Sequence, residues 1–220
     1  MEKINKNLLV TTSLIGSIKW FQDCPPSWKE KAEVDLHNTL ARIWTEPEPG
    51  GPIDRGIKFE KTLYSLLEAG HHSSTVQASD EFKKMMDVCE GGRFQVPAKS
   101  IEKINGQSFC LYGKLDVDFP MKVVDIKTTG KPKEKHSYLD SFQHVLYLYL
   151  TKKPAFEYHV AVFGNEENPS LITDVCSYRY ESPGQEILQG LVYDTVTNMM
   201  KFFEQYPEYW DLYITKFSRF

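Results

Sequence analysis

A chain of 220 residues with 41% hydrophobic and 13% aromatic residues has the composition of an ordinary globular protein, which excludes the disordered, collagenous and disulfide-scaffold classes. Its 26 Lys and Arg against 30 Asp and Glu give a formal net charge of −4. That balance excludes a basic coat over the whole surface, so any nucleic-acid partner must be met by a local patch.

Residues 8–18 follow two lysines, but Thr11, Thr12 and Ser13 break the apolar run and no small-residue cleavage pattern follows, so the segment is not read as a secretory signal. No apolar stretch approaches the roughly 20 residues that span a bilayer. Cys24, Cys89, Cys110 and Cys176 form no Cys-x-x-Cys pair, which removes a zinc ribbon or thioredoxin-like site and suits reduced thiols in a cytoplasmic protein that binds no membrane.

Over 27–44 the spacing of Trp28, Ala32, Leu36, Leu40 and Ile43 predicts a helix capped by Ser27 and stopped by the Pro- and Gly-rich run 45–52. A second helix is expected over 54–69, closed by Gly70, with Ile57, Leu63, Tyr64 and Leu67 buried and Glu60 in its middle. His71 and His72 fall in the loop that follows and are not read as metal ligands. A third helix over 79–89 ends at Gly91-Gly92.

After the glycines the hydrophobic period changes to two. Segments 93–104, 107–119 and 122–128, separated by Asn105-Gly106 and Pro120-Met121, predict three antiparallel strands in a meander. A helix over 137–150 carrying Leu139, Phe142, Leu146 and Leu150, strands over 156–163 and 171–180, and a long helix over 185–204 complete the chain. The fold class is α/β (α+β) in the order αβββαβ, with a mixed central sheet, extra N-terminal helices and a long C-terminal helix. No repeat or long linker divides it, so 1–220 is read as one domain.

The informative stretch is 113–129. Asp116 lies nine residues before Asp125 with the Pro120-Met121 turn midway, so the hairpin draws two carboxylates together, and alternation puts Asp125 and Lys127 on one face. Like charges across a ladder repel. Something positive is therefore required, either Lys127 or a hard divalent cation, for which Glu60 offers a third oxygen ligand. Asp118 shares the face of Asp116 by alternation and is read as a supporting group, a spare ligand or a surface charge. His136 and His144 flank the stretch and are read as boundary residues, and Trp20-Phe21 and Met199-Met200 as core or interface.

These residues resemble the PD-(D/E)XK nucleases, within them the RecB-like and lambda-exonuclease-like branch. The resemblance is carried by Thr12–Pro25 with its serine, hydrophobic helix and Cys-Pro, by Gly56-Ile-Lys-Phe-Glu60, by Gly113-x-x-Asp116, by Asp125-x-Lys127 and by Gln143-x-x-x-Tyr147. It covers about residues 12–163 and implies a restriction-endonuclease-like fold. It also implies a metal-dependent deoxyribonuclease, an exonuclease of recombination, repair or phage DNA processing. The resemblance implies Mg2+ or Mn2+ held by Asp116, Asp125, the Ile126 carbonyl and Glu60, with Asp116, Asp125, Lys127 and Glu60 catalytic and Gln143 and Tyr147 touching the substrate.

Phe59 stands where many relatives carry a metal-binding histidine. Cys176 stands apart from any further cysteine, so no iron–sulfur cluster is expected. DNA is the expected partner, with a homo-oligomer and a single-strand annealing protein as further expectations. The rival readings are an endonuclease, an inert nucleic-acid-binding domain of the same fold, and an interaction domain using the C-terminal helix and the tail around Trp210. Segment 99–135 alone carries eight basic and five acidic residues, a local +3 in a chain of opposite sign.

Overall fold

The computed structural model describes residues 6–131, 137–138, 140–164 and 171–218. Its elements run β1 (Leu8–Thr11), α1 (Thr12–Asp23), α2 (Lys29–Ala41), α3 (Pro52–Glu68), α4 (Asp80–Cys89), β2 (Arg93–Ile104), β3 (Gln107–Asp118) and β4 (Lys122–Thr129), then α5 (Phe142–Thr151), β5 (Ala155–Phe163), β6 (Ile172–Glu181), α6 (Gln185–Gln205) and α7 (Pro207–Phe217).

The meander expected from the period-two pattern is present. β2 pairs antiparallel with β3 from Arg93–Asp118 to Ile104–Gln107, and β3 with β4 at Val117–Val124 and Asp118–Val123. β5 runs parallel to β4 and antiparallel to β6, which makes the sheet mixed. β1 lies parallel to β3 at Phe109–Tyr112. Since β2 occupies one edge of β3 along its length, β1 and β4 share the other edge and leave residues 113–116 between them.

Helices cover both faces. The larger core joins α1, α2, α5, α6 and α7 to one face through residues such as Leu14, Leu36, Tyr158, Phe203 and Tyr213. The smaller joins α3 and α4 to the other through Phe59, Leu63, Phe82, Met86, Val124 and Ile126. Burial at about 25 cal/mol per Å2 drives both layers against the sheet.

Several expectations need correction. The segment 8–18 divides into β1 and the start of α1, with the Thr11 hydroxyl accepting from Leu14 N at 3.2 Å as the N-cap. The helix expected over 27–44 is shorter, ending at Ala41 where Arg42 turns left-handed, so Ile43 stands exposed, as does Trp28 at the other end. In α3, Ile57 is exposed and Phe59 takes the core position, packing edge-on to Phe82 and Phe163 at 5.6 and 5.8 Å. The helix expected over 137–150 is interrupted: residues 137–138 are helical, and α5 starts anew at Phe142, capped by Ser141 to Gln143 N at 3.2 Å; Leu139 and His136 lie outside the described residues. The tail after α6 forms a further helix, α7, whose Tyr213 hydroxyl donates to the Leu9 carbonyl at 3.0 Å and ties the C-terminus to β1.

Candidate active site in the strand fork

The acidic pair sits where the sheet opens. Continuing the β3–β4 register would place Asp116 opposite Asp125, but the ladder reaches only Val117–Val124. Beyond it the Asp116 carboxylate takes the place of a strand: Oδ2 accepts from Ile126 N–H at 3.0 Å. On the other edge of β3 the ladder pairs Phe94 with Val117 and Val96 with Leu115, and Gln95 between them has φ 54°. Its amide donates to Asp116 Oδ1 at 3.4 Å. Both edges of β3 are thus irregular at the one residue, and its carboxylate is fixed by donors from two neighbouring strands.

Asp125 is fully buried. Gln143 Nε2 donates to its Oδ1, and the Lys127 ammonium stands 2.6 Å from its Oδ2. Residues 125 and 127 share a face, as alternation requires. The next link comes from α5. The Tyr147 hydroxyl donates to the Lys114 carbonyl at 3.1 Å, in the stretch of β3 that has neither β1 nor β4 beside it. Its ring lies over Gly113 so closely that a Cβ there would meet Tyr147 Cε1 at 2.3 Å. The glycine and the tyrosine of two separate motifs are therefore one packing unit. Gly56 acts similarly for α3, since a Cβ would meet Thr128 Oγ1 at 2.6 Å, so glycine allows the helix carrying Glu60 to lie close to β4.

The electrostatics follow from burial. Desolvation pushes the Asp125 carboxyl well above the usual carboxylate range, with Lys127 pulling against it. Burial draws the Lys127 ammonium down, but Asp125 and Asp116 outweigh it and hold the group protonated. Burial and then Asp116 raise Glu60 to about 7, with Lys127 and Lys114 opposing. Glu60 thus shares the field of the pair while approaching from the α3 layer, whereas Asp125 lies against α5. Among the described residues no three Asp, Glu, His or Cys side chains close into a ready-made metal cage.

Other acidic and histidine residues have different surroundings. Asp118 is buried between Lys153 and Arg93, at the wall of a cavity of about 590 Å3 lined also by Pro97, Leu115 and Phe119. Leu115 belongs to the larger core and Val117 to the smaller. Simple alternation therefore fails between them, and the shared face inferred for Asp116 and Asp118 does not hold. His144 is buried and stacked on Tyr180 at 5.0 Å, its Nδ1 without a partner, rather than at the boundary. His72 contacts exposed Glu90 at 2.5 Å. Gln143 and Tyr147 point their polar groups at Asp125 and Lys114, so their contacts are with the acids and their strand rather than with open solvent. Gln95 was missed because nothing in strand alternation marks a left-handed residue; its position opposite Asp116 in the meander was the available signal.

The donor set fits a hard divalent cation. Asp125 Oδ2 is buried and its close contact is the Lys127 ammonium at 2.6 Å, so an arriving cation would compete with that ammonium for the oxygen. Two carboxylates and a strand carbonyl suit Mg2+ or Mn2+, which bind few protein oxygens and retain waters.

No protein-family model matches the chain, and no curated protein matches it. Solved structures do share its fold. An alkaline exonuclease from Laribacter hongkongensis aligns over 94% of this chain and 93% of its own at 15% identity and TM-score 0.50, and the same holds for its complex with dAMP. A phage-related exonuclease from Haemophilus somnus 129PT aligns over 92% and 96% at 11% identity and TM-score 0.50. SSO0001 aligns over 89% and 79% at 14% identity and TM-score 0.50. The chain therefore shares the fold of these exonuclease structures. At these identities the likeness is one of fold.

Proposed function

We propose that the chain is a divalent-metal-dependent deoxyribonuclease acting as an exonuclease. The observation that carries this reading is the fork itself, which buries Asp125 in an ion pair with Lys127 and holds Asp116 across a gap in the ladder. A fold-only role has little use for this arrangement, because a buried ion pair costs desolvation that apolar packing would avoid.

Asp116, Asp125 and the Ile126 carbonyl would hold the cation, with Glu60 completing the set from α3. A divalent ion there supplies a lowered pKa for bound water and neutralises charge on the phosphoryl oxygens. Lys127, whose ammonium the two acids favour, would orient the attacking water and stabilise developing negative charge. Gln143 fixes the orientation of Asp125, and Tyr147 holds β3 through Lys114. Activity on DNA in recombination, repair or phage DNA processing accords with the exonuclease neighbours and the locally basic segment 99–135.

Digestion of end-labelled linear, circular and single-stranded DNA in Mg2+ or Mn2+ tests the reading. Linear DNA should be degraded and closed circles spared, with EDTA, Asp125→Ala and Lys127→Ala each abolishing the reaction. Cleavage that survives both substitutions would remove the site assignment, and cutting of circles would make the enzyme an endonuclease.

A further inference from the structure

Among the described residues four non-glycine residues have positive φ: Arg42, Gln95, Asn105 and Lys152. Three mark ordinary chain reversals. Arg42 and Lys152 end α2 and α5 as left-handed caps, and Asn105 precedes Gly106 in the two-residue turn between β2 and β3. Gln95 has no such reason. It lies inside β2, the third residue of a twelve-residue strand, where a left-handed L residue is unfavourable unless surrounding structure enforces it.

What surrounds it is Asp116. Gln95 stands across from that residue in the register, and its amide donates to Oδ1 at 3.4 Å. Tyr64 of α3 packs on Phe94, the neighbouring residue of β2, at 4.9 Å. The other acid of the pair is held by the same chemistry, since the Gln143 amide donates to Asp125 Oδ1. A neutral amide is suited to this task. It orients a carboxylate without neutralising it, so the charge stays available to a cation, as outer groups do around metal ligands.

We propose that Gln95 is a positioning residue for Asp116, and that the left-handed backbone of β2 is the means by which its amide reaches the carboxylate. The proposal rests on the metal-site reading above. It assigns to the non-catalytic strand of the hairpin a part in setting metal affinity, and it explains a backbone outlier that no turn accounts for.

The test separates the amide from the backbone. Gln95→Gly accepts the left-handed conformation and removes the amide; Gln95→Asn tolerates that conformation but is one methylene shorter. Mn2+ binding by titration calorimetry and thermal melting are measured on both variants and on the unaltered chain. The expected result is an Mn2+ dissociation constant weakened about tenfold in both variants, while the melting temperature of Gln95→Gly is unchanged or higher by about 2–4 °C. A residue that only shapes the strand would leave Mn2+ affinity of Gln95→Gly at the unaltered value, and that result overturns the proposal. Absence of Mn2+ binding by the unaltered chain would overturn the metal-site reading and this proposal together.

Discussion

Replacing Gly113 with alanine tests the link between the two motifs that frame the acidic pair. The added Cβ would stand 2.3 Å from Tyr147 Cε1 and 2.9 Å from Cδ1, about 1.5 Å inside the distance at which carbon atoms attract. The ring cannot yield cheaply. Tyr147 is 4% exposed, stands 6.1 Å from the Phe156 ring and is tethered through its hydroxyl to Lys114. Overpacking of this kind costs about 2–3 kcal/mol, a fall of roughly 4–12 °C in melting temperature for a chain of this length. In a Tyr147→Ala background the obstacle is gone. There the same substitution should stabilise by about 0.5–1 kcal/mol, because alanine orders more cheaply than glycine in a strand and Gly113 does not have positive φ. The double-mutant cycle, measured by urea denaturation, should therefore give a coupling of about 3 kcal/mol. A Gly113→Ala cost that persists unchanged without the tyrosine ring would refute the packing argument and leave the glycine unexplained.

Three further outcomes follow from the surroundings of individual groups. His144 is neutral in the folded chain because burial lowers it from 6.5 to about 4; its contribution is complete above pH 6.5 and is lost as pH falls toward 4. His144→Phe, which preserves a ring beside Tyr180, should then remove up to about 3 kcal/mol of acid sensitivity in denaturation curves at pH 7 and pH 4, and parallel curves for the two proteins would contradict this. Asp118→Asn removes the buried counter-charge of the half-buried Lys153 and should destabilise the chain by about 1–2 kcal/mol while Mn2+ affinity is retained; loss of metal binding would place Asp118 in the site. Because Glu60 is raised to about 7 and Asp125 is raised as well, metal uptake near pH 7 must expel protons. Calorimetry in buffers of different ionisation enthalpy should show that release, with affinity falling as pH drops below 7, and a binding heat independent of buffer would count against these carboxylates as ligands.

The elements legible in the sequence were those whose burial has one dominant face. β2, β3 and β4 are β-rich runs bounded by Gly and Pro signals, and α3 and α4 show an apolar stripe, so their limits agree with the structure to within two residues or so. β1 was not legible, because four residues with three consecutive buried positions carry no alternation; its strand character comes from pairing with residues 109–112, a contact about a hundred positions away. Ile57 and Phe59 show a different limit. Both fit a helical apolar stripe, and what selects Phe59 for the core is the pocket formed by Phe82 and Phe163, which periodicity does not contain.

At the candidate site, the motif spacing singled out Asp116, Asp125 and Lys127, and the structure brings the three together by a different route from the one expected. The hairpin was expected to set the two carboxylates across a regular ladder. Instead the ladder ends one pair short of them, and the vacated backbone groups are satisfied individually: Ile126 N–H by Asp116, and the Lys114 carbonyl by Tyr147. A regular strand pair would have satisfied these groups with each other and left no reason for a carboxylate to enter the gap. The break therefore gives Asp116 a fixed orientation, and it requires a glycine at 113 because the α5 tyrosine that caps the open strand edge needs the space of a side chain. The spacing of Gly113 and Asp116, and of Gln143 and Tyr147, reflects this single geometric condition.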